Sequence, residues 1–380
     1  MQVYLDNAAT TPLTPEVFEA MKPYMLEFYG NPSSTHAHGR ATRSAIEKAR
    51  KGVADLLHAS PSEIFFTSGG TEADNTAIKC AIESLDIRSA ITSPLEHHAV
   101  LHALQALAAK KQIKLNYVHT DSKGNIDYDH LKALLDGNER SFVSIMQGNN
   151  EIGNLNDIGL ISEICAFHDA IFHSDTVQTL AHYPHNLSKL KIHSIIGSAH
   201  KFHGPKGAGL LYIKKGHQIA PFIHGGSQER NMRGGTENLY GIIGLAKALE
   251  IAYEGMNEHR KHILALKQRM IKGLKERVPG ITFNGESGNM DKSLYTVLNV
   301  SLPPSTDADM LLFNLDLHKI SVSGGSACSS GSQLGSHVLQ ALSADPERGA
   351  IRFSFSKYNT LEEIHYVVDK LANMYNPVSI

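Results

Sequence analysis

The chain lacks most of the features that would send it outside a cell, into a membrane or onto nucleic acid. Its 380 residues hold three cysteines, an odd number without framework spacing, which excludes a disulfide-stapled secreted domain and points to a reducing compartment. No apolar run approaches the roughly 20 residues that span a bilayer. The opening Met1-Gln2-Val3-Tyr4-Leu5-Asp6-Asn7 has neither a basic nor an apolar leader region, so the expected location is cytoplasmic, with no membrane partner. A formal net charge of −2 leaves no electrostatic footprint for direct contact with nucleic acid. The 22 histidines show no tight ligand spacing, so no metal is expected. Internal repeats, low-complexity tracts and a flexible interdomain linker are absent. There is also neither a GxGxxG fingerprint nor a P-loop, which weakens any nucleotide or dinucleotide reading.

What is present is alternation. Strand-like runs at Ile64 to Thr67, Ser89 to Thr92, Ile113 to His119, Ser141 to Met146, Ile171 to Ser174, Ser194 to Ser198 and Gly209 to Ile213 are mostly separated by helical stretches such as His98 to Ala109 and Asp157 to Ala170. This predicts an α/β fold with a largely parallel sheet covered on both faces. A long helical stretch from Thr236 to Arg277 then leads to shorter strands, Tyr295 to Ser301, Ile320 to Ser323 and Ala350 to Phe355, in an α+β arrangement. The length exceeds the ~250–300 residues at which a single core stops growing. Residues 14–256 are expected to form a large domain, and residues 1–13 with 257–380 a smaller one.

In such sheets, ligands sit where strands end and helices begin, and the polar clusters fall there. Thr67-Ser68-Gly69-Gly70-Thr71-Glu72 follows a strand and opens a helical stretch. It reads either as an anion cradle of backbone N–H groups or as an ordinary βα turn with Thr71 as cap. Asp175 stands at the end of one strand and Lys201 at the end of another. A lysine can form a Schiff base with a carbonyl cofactor, and a carboxylate can hold a pyridine nitrogen protonated. Taken singly they are equally a capping aspartate and a solvent lysine; together with the turn they suggest pyridoxal phosphate. Cys328 sits in Val322-Ser323-Gly324-Gly325-Ser326-Ala327-Cys328-Ser329-Ser330-Gly331-Ser332, too small-residued to pack or to propagate a helix, so its thiol is expected to be exposed on a mobile strip. Cys80 and Cys165 lie in apolar-periodic helical stretches and are expected to fill the core.

Several short motifs carry a resemblance. Asp6 to Pro12, Gly30-Asn31-Pro32-Ser33-Ser34, Thr67 to Asn75, Glu96-His97-His98-Ala99-Val100, Asn149-Asn150-Glu151-Ile152-Gly153, Asp175 with Gln178, Ser198-Ala199-His200-Lys201, Arg233-Gly234-Gly235-Thr236 and Ser326-Ala327-Cys328 together resemble the cysteine desulfurases. Those are class V aminotransferase-type, fold type I pyridoxal-phosphate enzymes. The similarity covers essentially the whole chain, and the long small-residue stretch around Cys328 resembles group I of that family. Fold type I implies a mostly parallel seven-stranded sheet and a smaller α+β domain.

The resemblance implies roles. Lys201 would hold pyridoxal 5'-phosphate covalently and act as the base once released; Asp175 would pair with the pyridine nitrogen. Gln178 would bond the phenolic oxygen, and His97 would stack on the ring and move protons. Gly70, Thr71, Ser198 and His200 would bind the phosphate, with Thr236 reaching it from the neighbouring subunit of a homodimer. Arg352, with Asn150, would hold the carboxylate of L-cysteine, and Cys328 would take the sulfur as a persulfide, leaving L-alanine.

The chain departs from some relatives at His98, where they carry lysine, and at His203, where many carry tyrosine. It also ends at Ile380, short of the C-terminal extension that housekeeping relatives offer to a scaffold, which leaves the sulfur acceptor open between an iron–sulfur scaffold protein and a thiolation carrier for transfer RNA. A selenocysteine lyase would use the same site. A class V transaminase would need no Cys328, and a non-catalytic scaffold would not need Lys201, Asp175, His97 and Cys328 together.

Overall fold

The computed structural model describes residues 1–137, 140–304, 310–324 and 335–375. The chain begins with β1 (Val3–Tyr4), α1 (Pro15–Leu26) and α2 (Ala37–Leu57). The nucleus follows: β2 (Ile64–Thr67), α3 (Gly70–Asn75), a π turn over Thr76–Cys80, α4 (Ala81–Ser84), β3 (Ser89–Thr92), α5 (His98–Ala109) and β4 (Lys114–Tyr117). After these come α6 (Tyr128–Leu135), β5 (Ser141–Ser144), α7 (Ile158–Phe167), β6 (Ile171–Ser174), β7 (Ser194–Ser198) and β8 (Gly209–Ile213).

These strands form a seven-stranded sheet in the order β2-β8-β7-β6-β5-β3-β4, in which β8 is antiparallel to both neighbours and the other pairings are parallel. Every residue of β2, β3, β5, β6, β7 and β8 is buried, the pattern of strands covered on both faces rather than one. The edge strand β4 differs: Lys114 and Tyr117 are exposed. Val17, Ile46, Val53, Leu57, Phe172 and Leu245 pack on one face, and Ile78, Val100, Leu104 and Phe142 on the other.

Local chemistry sets the element ends. The Asp157 and Asp127 carboxylates cap α7 and α6, accepting from the N–H groups of Leu160 and of Asp129 and His130. Asp157 is therefore a cap and the predicted stretch shortens to Ile158–Phe167. The stretch expected from Thr236 to Arg277 is two helices, α8 (Leu239–Glu254) and α9 (Met256–Arg277), parted at Gly255. Glycine weakens a helix interior by about 1 kcal/mol, and a Cβ at Gly255 would lie 2.5 Å from the His259 ring.

Beyond α9 stand β9 (Thr282–Phe283), β10 (Val297–Ser301), α10 (Leu311–Leu317), β11 (Ile320–Ser321), α11 (His337–Ala341), β12 (Ala350–Ser354) and α12 (Leu361–Tyr375). An antiparallel sheet β12-β10-β9 packs against α9 and α12 through Leu266, Met270, Leu298, Phe353, Val367 and Leu371. The first strand, β1, joins this region by pairing in parallel with β11, and Asp6 bridges to Ser354. The mostly parallel seven-stranded sheet with a smaller α+β assembly is the fold predicted from the sequence. Cys80 and Cys165 are buried, and burial pushes their thiols up to about 11 and about 12. Among the described residues, no helix is long and apolar enough to cross a membrane and no cluster of His, Cys, Asp or Glu could hold a metal ion.

Candidate active site

The ends of β2, β3, β5, β6 and β7 deliver the polar motifs to one place. Gly70, Thr71, His97, Asn150, Asp175, Gln178, Ser198, His200, Lys201 and Arg352 all line a single cavity of about 210 Å³. It lies outside the carboxyl ends of the parallel strands, where an open α/β sheet leaves a crevice.

Lys201 sits in a one-turn 3₁₀ segment after β7, and its Nζ donates to the carbonyl oxygens of Ala8 (2.7 Å) and Ala9 (2.8 Å). The N-terminal segment therefore forms one wall. Gln178 Nε2 also donates to the Ala8 carbonyl, at 3.0 Å. Asp175 is 5% exposed, and one carboxylate oxygen accepts the Val177 N–H at 2.9 Å. Burial holds its carboxyl above the ordinary range, against the pull of the Val177 N–H and of the Lys201 charge. His97 caps α5, its Nδ1 accepting the Ala99 N–H at 3.1 Å. Burial first, then the Lys201 charge, lowers its imidazole to about 4, so the ring is neutral near pH 7. His200 is lowered to about 4 by the same two causes, and its Nδ1 lies 3.1 Å from the Thr10 hydroxyl.

The floor is built for an anion. Gly70 begins α3, so its N–H and that of Thr71 have no carbonyl one turn back to bond. A Cβ on Gly70 would lie 3.0 Å from Val177 Cγ2, and a Cβ on Gly209 of β8 would lie 2.4 Å from Thr67 Oγ1, so small residues let strand and turn close around this end. An amine beside a buried carboxylate, a neutral imidazole and a glycine cradle with Ser198 and His200 fit pyridoxal phosphate.

Arg352, in β12, is 1% exposed. Its Nη2 donates to Asp6 Oδ1 (2.8 Å) and its Nη1 to the Asn150 carbonyl (3.0 Å), so Asn150 meets it through its backbone. Its Nε is buried with no partner among the described residues. A guanidinium with a donor left over, facing the cavity, suits a carboxylate.

Among the described residues, one sequence-derived residue is not in this cavity. Thr236 is exposed and lines a separate cleft with Phe66, Gly207, Glu229 and Arg233. Cys328 lies outside the described residues. Three residues inside the quoted motifs or beside them were not singled out. Asp74 lines the cavity at 1% exposure, with Oδ1 3.3 Å from His173 Nε2. Burial, with the charges of Asp175 and Glu96, holds Asp74 well above the carboxylate range, while burial lowers His173 to about 3. Glu96, fully buried beside His97, accepts the Met146 N–H at 2.6 Å and is likewise raised by burial. The departures at His98 and His203 also flank the site: the His98 ring packs 4.5 Å from that of His337, and His203 Nδ1 lies 2.9 Å from the Pro12 carbonyl.

Comparison with known proteins agrees with this geometry. The pattern of the family "Aminotransferase class-V" matches residues 3–367. Cysteine desulfurase IscS of Dictyoglomus turgidum is 45% identical over 97% of this chain and 93% of its own length. Cysteine desulfurase IscS of Methanosarcina thermophila is 42% identical over 98% and 93%. A solved NifS-like protein superposes with a TM-score of 0.91 at 39% identity, covering 98% of this chain and 99% of that one. The apo cysteine desulfurase of Thermococcus onnurineus NA1 gives 0.87 at 27% identity, covering 98% and 94%. With its site assembled from the motifs that first suggested the resemblance, the chain belongs to the class V aminotransferase family, among the cysteine desulfurases.

Proposed function

We propose that this protein is a pyridoxal-phosphate-dependent cysteine desulfurase that moves the sulfur of L-cysteine onto Cys328. The observation that supports this most is the convergence of Lys201, Asp175, His97, Gly70 and Arg352, from distant parts of the chain, on one cavity. When bound, pyridoxal phosphate supplies a carbonyl for the substrate amine and a ring that accepts electrons. Asp175 would pair with the ring nitrogen and hold it cationic, Gln178 would bond the phenolic oxygen, and Gly70, Thr71, Ser198 and His200 would bind the phosphate. His97, neutral, would stack on the ring and could take or give a proton. Arg352 would grip the substrate carboxylate and so turn the single Cα–H bond toward Lys201, whose Nζ, once released from the cofactor, would remove that proton.

The Cys328 thiolate attacks the substrate sulfur. A sulfur–sulfur bond forms as Cβ–S breaks, the electron pair stays with the carbon skeleton, and protons complete L-alanine. Cys328 is left as a persulfide, which thiol exchange can pass to an acceptor. We further propose a homodimer, with exposed Thr236 reaching the neighbour's phosphate, and a division into residues 14–256 and residues 1–13 with 257–380. We place the protein in the cytoplasm, where the persulfide goes to a scaffold protein for iron–sulfur cluster assembly. The cysteine desulfurase names of its relatives support L-cysteine over selenocysteine as the substrate, and a carrier for transfer RNA thiolation is the alternative acceptor.

The test is turnover of L-cysteine by wild type and Cys328→Ser. Wild type should release alanine and carry persulfide on Cys328; the variant should keep the cofactor and its spectral response to L-cysteine yet yield neither product. Alanine formed at the wild-type rate by Cys328→Ser would remove the nucleophile assignment.

A further inference from the structure

One residue of the Asn149-Asn150-Glu151-Ile152-Gly153 motif has no part in the chemistry above, yet it is the most enclosed acid of that loop. Glu151 is 1% exposed and accepts a hydrogen bond from the Ser336 hydroxyl through Oε2. Its own backbone is fixed on both sides: its N–H donates to Asn149 Oδ1 at 2.8 Å, and its carbonyl accepts from Asn299 Nδ2 at 3.0 Å. Asn149 in turn donates to the Leu95 carbonyl at 2.8 Å, next to Glu96 and His97. The loop is thus a fixed mount, and its second residue, Asn150, holds Arg352 by its carbonyl.

Ser336 stands just after the stretch that contains Cys328. Its hydroxyl also accepts the Leu339 N–H at 3.1 Å, and the next residue, His337, donates from Nε2 to the Glu96 carbonyl at 2.9 Å. On the other side of the stretch, Ser323 pairs with Arg352 through both backbone groups and donates its hydroxyl to Asp6 Oδ1 at 2.8 Å, the oxygen that also accepts from Arg352. Ser323 is therefore held beside the guanidinium and Ser336 beside the His97 loop, each bonded to a carboxylate.

We infer that Glu151 is a positioning residue for sulfur abstraction, acting through Ser336 to fix the end of the chain that follows Cys328 beside the loops that carry Asn150 and His97. This rests on the reading of Cys328 as the nucleophile. A hydroxyl bonded to a buried carboxylate is directional and charge-assisted, so it sets the root of the stretch more tightly than packing of glycines and serines would. The Glu151 carboxylate bonds Ser336 and none of the side chains assigned to the cofactor or the substrate, so its loss should slow the sulfur step and leave substrate binding alone.

The holoenzyme is mixed with L-cysteine in a rapid-quench single turnover, and persulfide on Cys328 is quantified by mass of the alkylated peptide. Glu151→Ala and Ser336→Ala should each slow its appearance about tenfold, the factor one charge-assisted hydrogen bond commands. The double variant should be no slower than the slower single one. Glu151→Gln, whose amide oxygen still accepts from Ser336, should restore most of the rate. The KM for L-cysteine and the change in cofactor absorbance on mixing should stay at wild-type values, which a general loosening of the fold would not allow. If Glu151→Ala does not fold, Ser336→Ala carries the test alone. Persulfide formed at the wild-type rate by Ser336→Ala overturns the inference, as does a loss explained by weaker L-cysteine binding. A wild-type enzyme that forms alanine with no persulfide on Cys328 overturns the functional reading itself.

Discussion

Replacing Glu229 with alanine should destabilise the protein more than any other single surface-loop change. Glu229 and Arg50 form a two-pronged ion pair, with Nη1 2.7 Å from Oε2 and Nη2 2.8 Å from Oε1, and their side chains are 3% and 2% exposed. The same carboxylate accepts the Phe66 N–H at 2.9 Å, and Arg50 also donates to the Ile64 carbonyl at 2.9 Å and lies over the Phe66 ring. Glu229, Arg230 and Asn231 all have φ between 44° and 67°, a left-handed run that costs of order 1 kcal/mol per residue and persists only if something pins it. Alanine leaves the buried cation with only the half-exposed Glu47 carboxylate, 3.2 Å from its Nε, and leaves the Phe66 N–H with no acceptor, which costs about 3–5 kcal/mol out of a total stability of about 5–15. With a urea dependence of roughly 3 kcal/mol per M, the unfolding midpoint should fall by roughly 1–1.7 M. The paired change Arg50→Met with Glu229→Leu removes both charges and should lose less than Glu229→Ala. A Glu229→Ala midpoint within about 0.3 M of wild type, or a double variant weaker than both singles, would refute the reasoning.

Lys201→Ala should remain folded but retain no cofactor after borohydride reduction; peptide mapping that finds the cofactor fixed on Lys206 would contradict the placement. Arg352→Lys keeps a cation and loses the planar fork, so the KM for L-cysteine should rise about tenfold with little change in folding; an unchanged KM would dismiss the carboxylate assignment. Stability should fall as pH drops from about 6.5 towards 4. His97, His185 and His173 are held neutral in the fold at about 4, about 4 and about 3, chiefly by burial, so below their ordinary value unfolding takes up protons. The buried acids Asp74, Glu96 and Asp175, raised in the fold, oppose this trend because unfolding releases their protons. Urea midpoints at pH 7, 6 and 5 that stay level or rise would show the acids to dominate.

The large sheet was legible because its strands are short, apolar and punctuated by helical periods, and β2, β3, β6, β7 and β8 begin and end where the pattern predicts. The cavity was legible because its residues sit at strand ends, where the fold type places ligands. Legibility failed where partners are far apart in the chain. Val3 and Tyr4 have no strand pattern of their own and become β1 only by pairing with β11. Glu229 looks like a surface acid in a polar loop until Arg50 is brought against it. The break at Gly255 was written in the sequence, but the periodicity on either side masked it. Asp74 and Glu96 lay inside the motifs, yet nothing local says that a carboxyl will be buried beside another.

The wall that Ala8 and Ala9 build for Lys201 has a consequence for the order of events during synthesis. The Ala8 N–H is held by the Ser354 hydroxyl at 2.8 Å, a contact spanning 346 positions. The segment that holds the lysine thus leaves the ribosome before the sheet and finds its partner after it, while the sheet from β2 to β8 can pack in between. Contacts of such long separation carry a large closure cost and form late. A nascent chain stalled before β12 should therefore have a folded sheet but an unfinished pocket, so the maturing enzyme passes through a stage in which it is protein already and catalyst not yet.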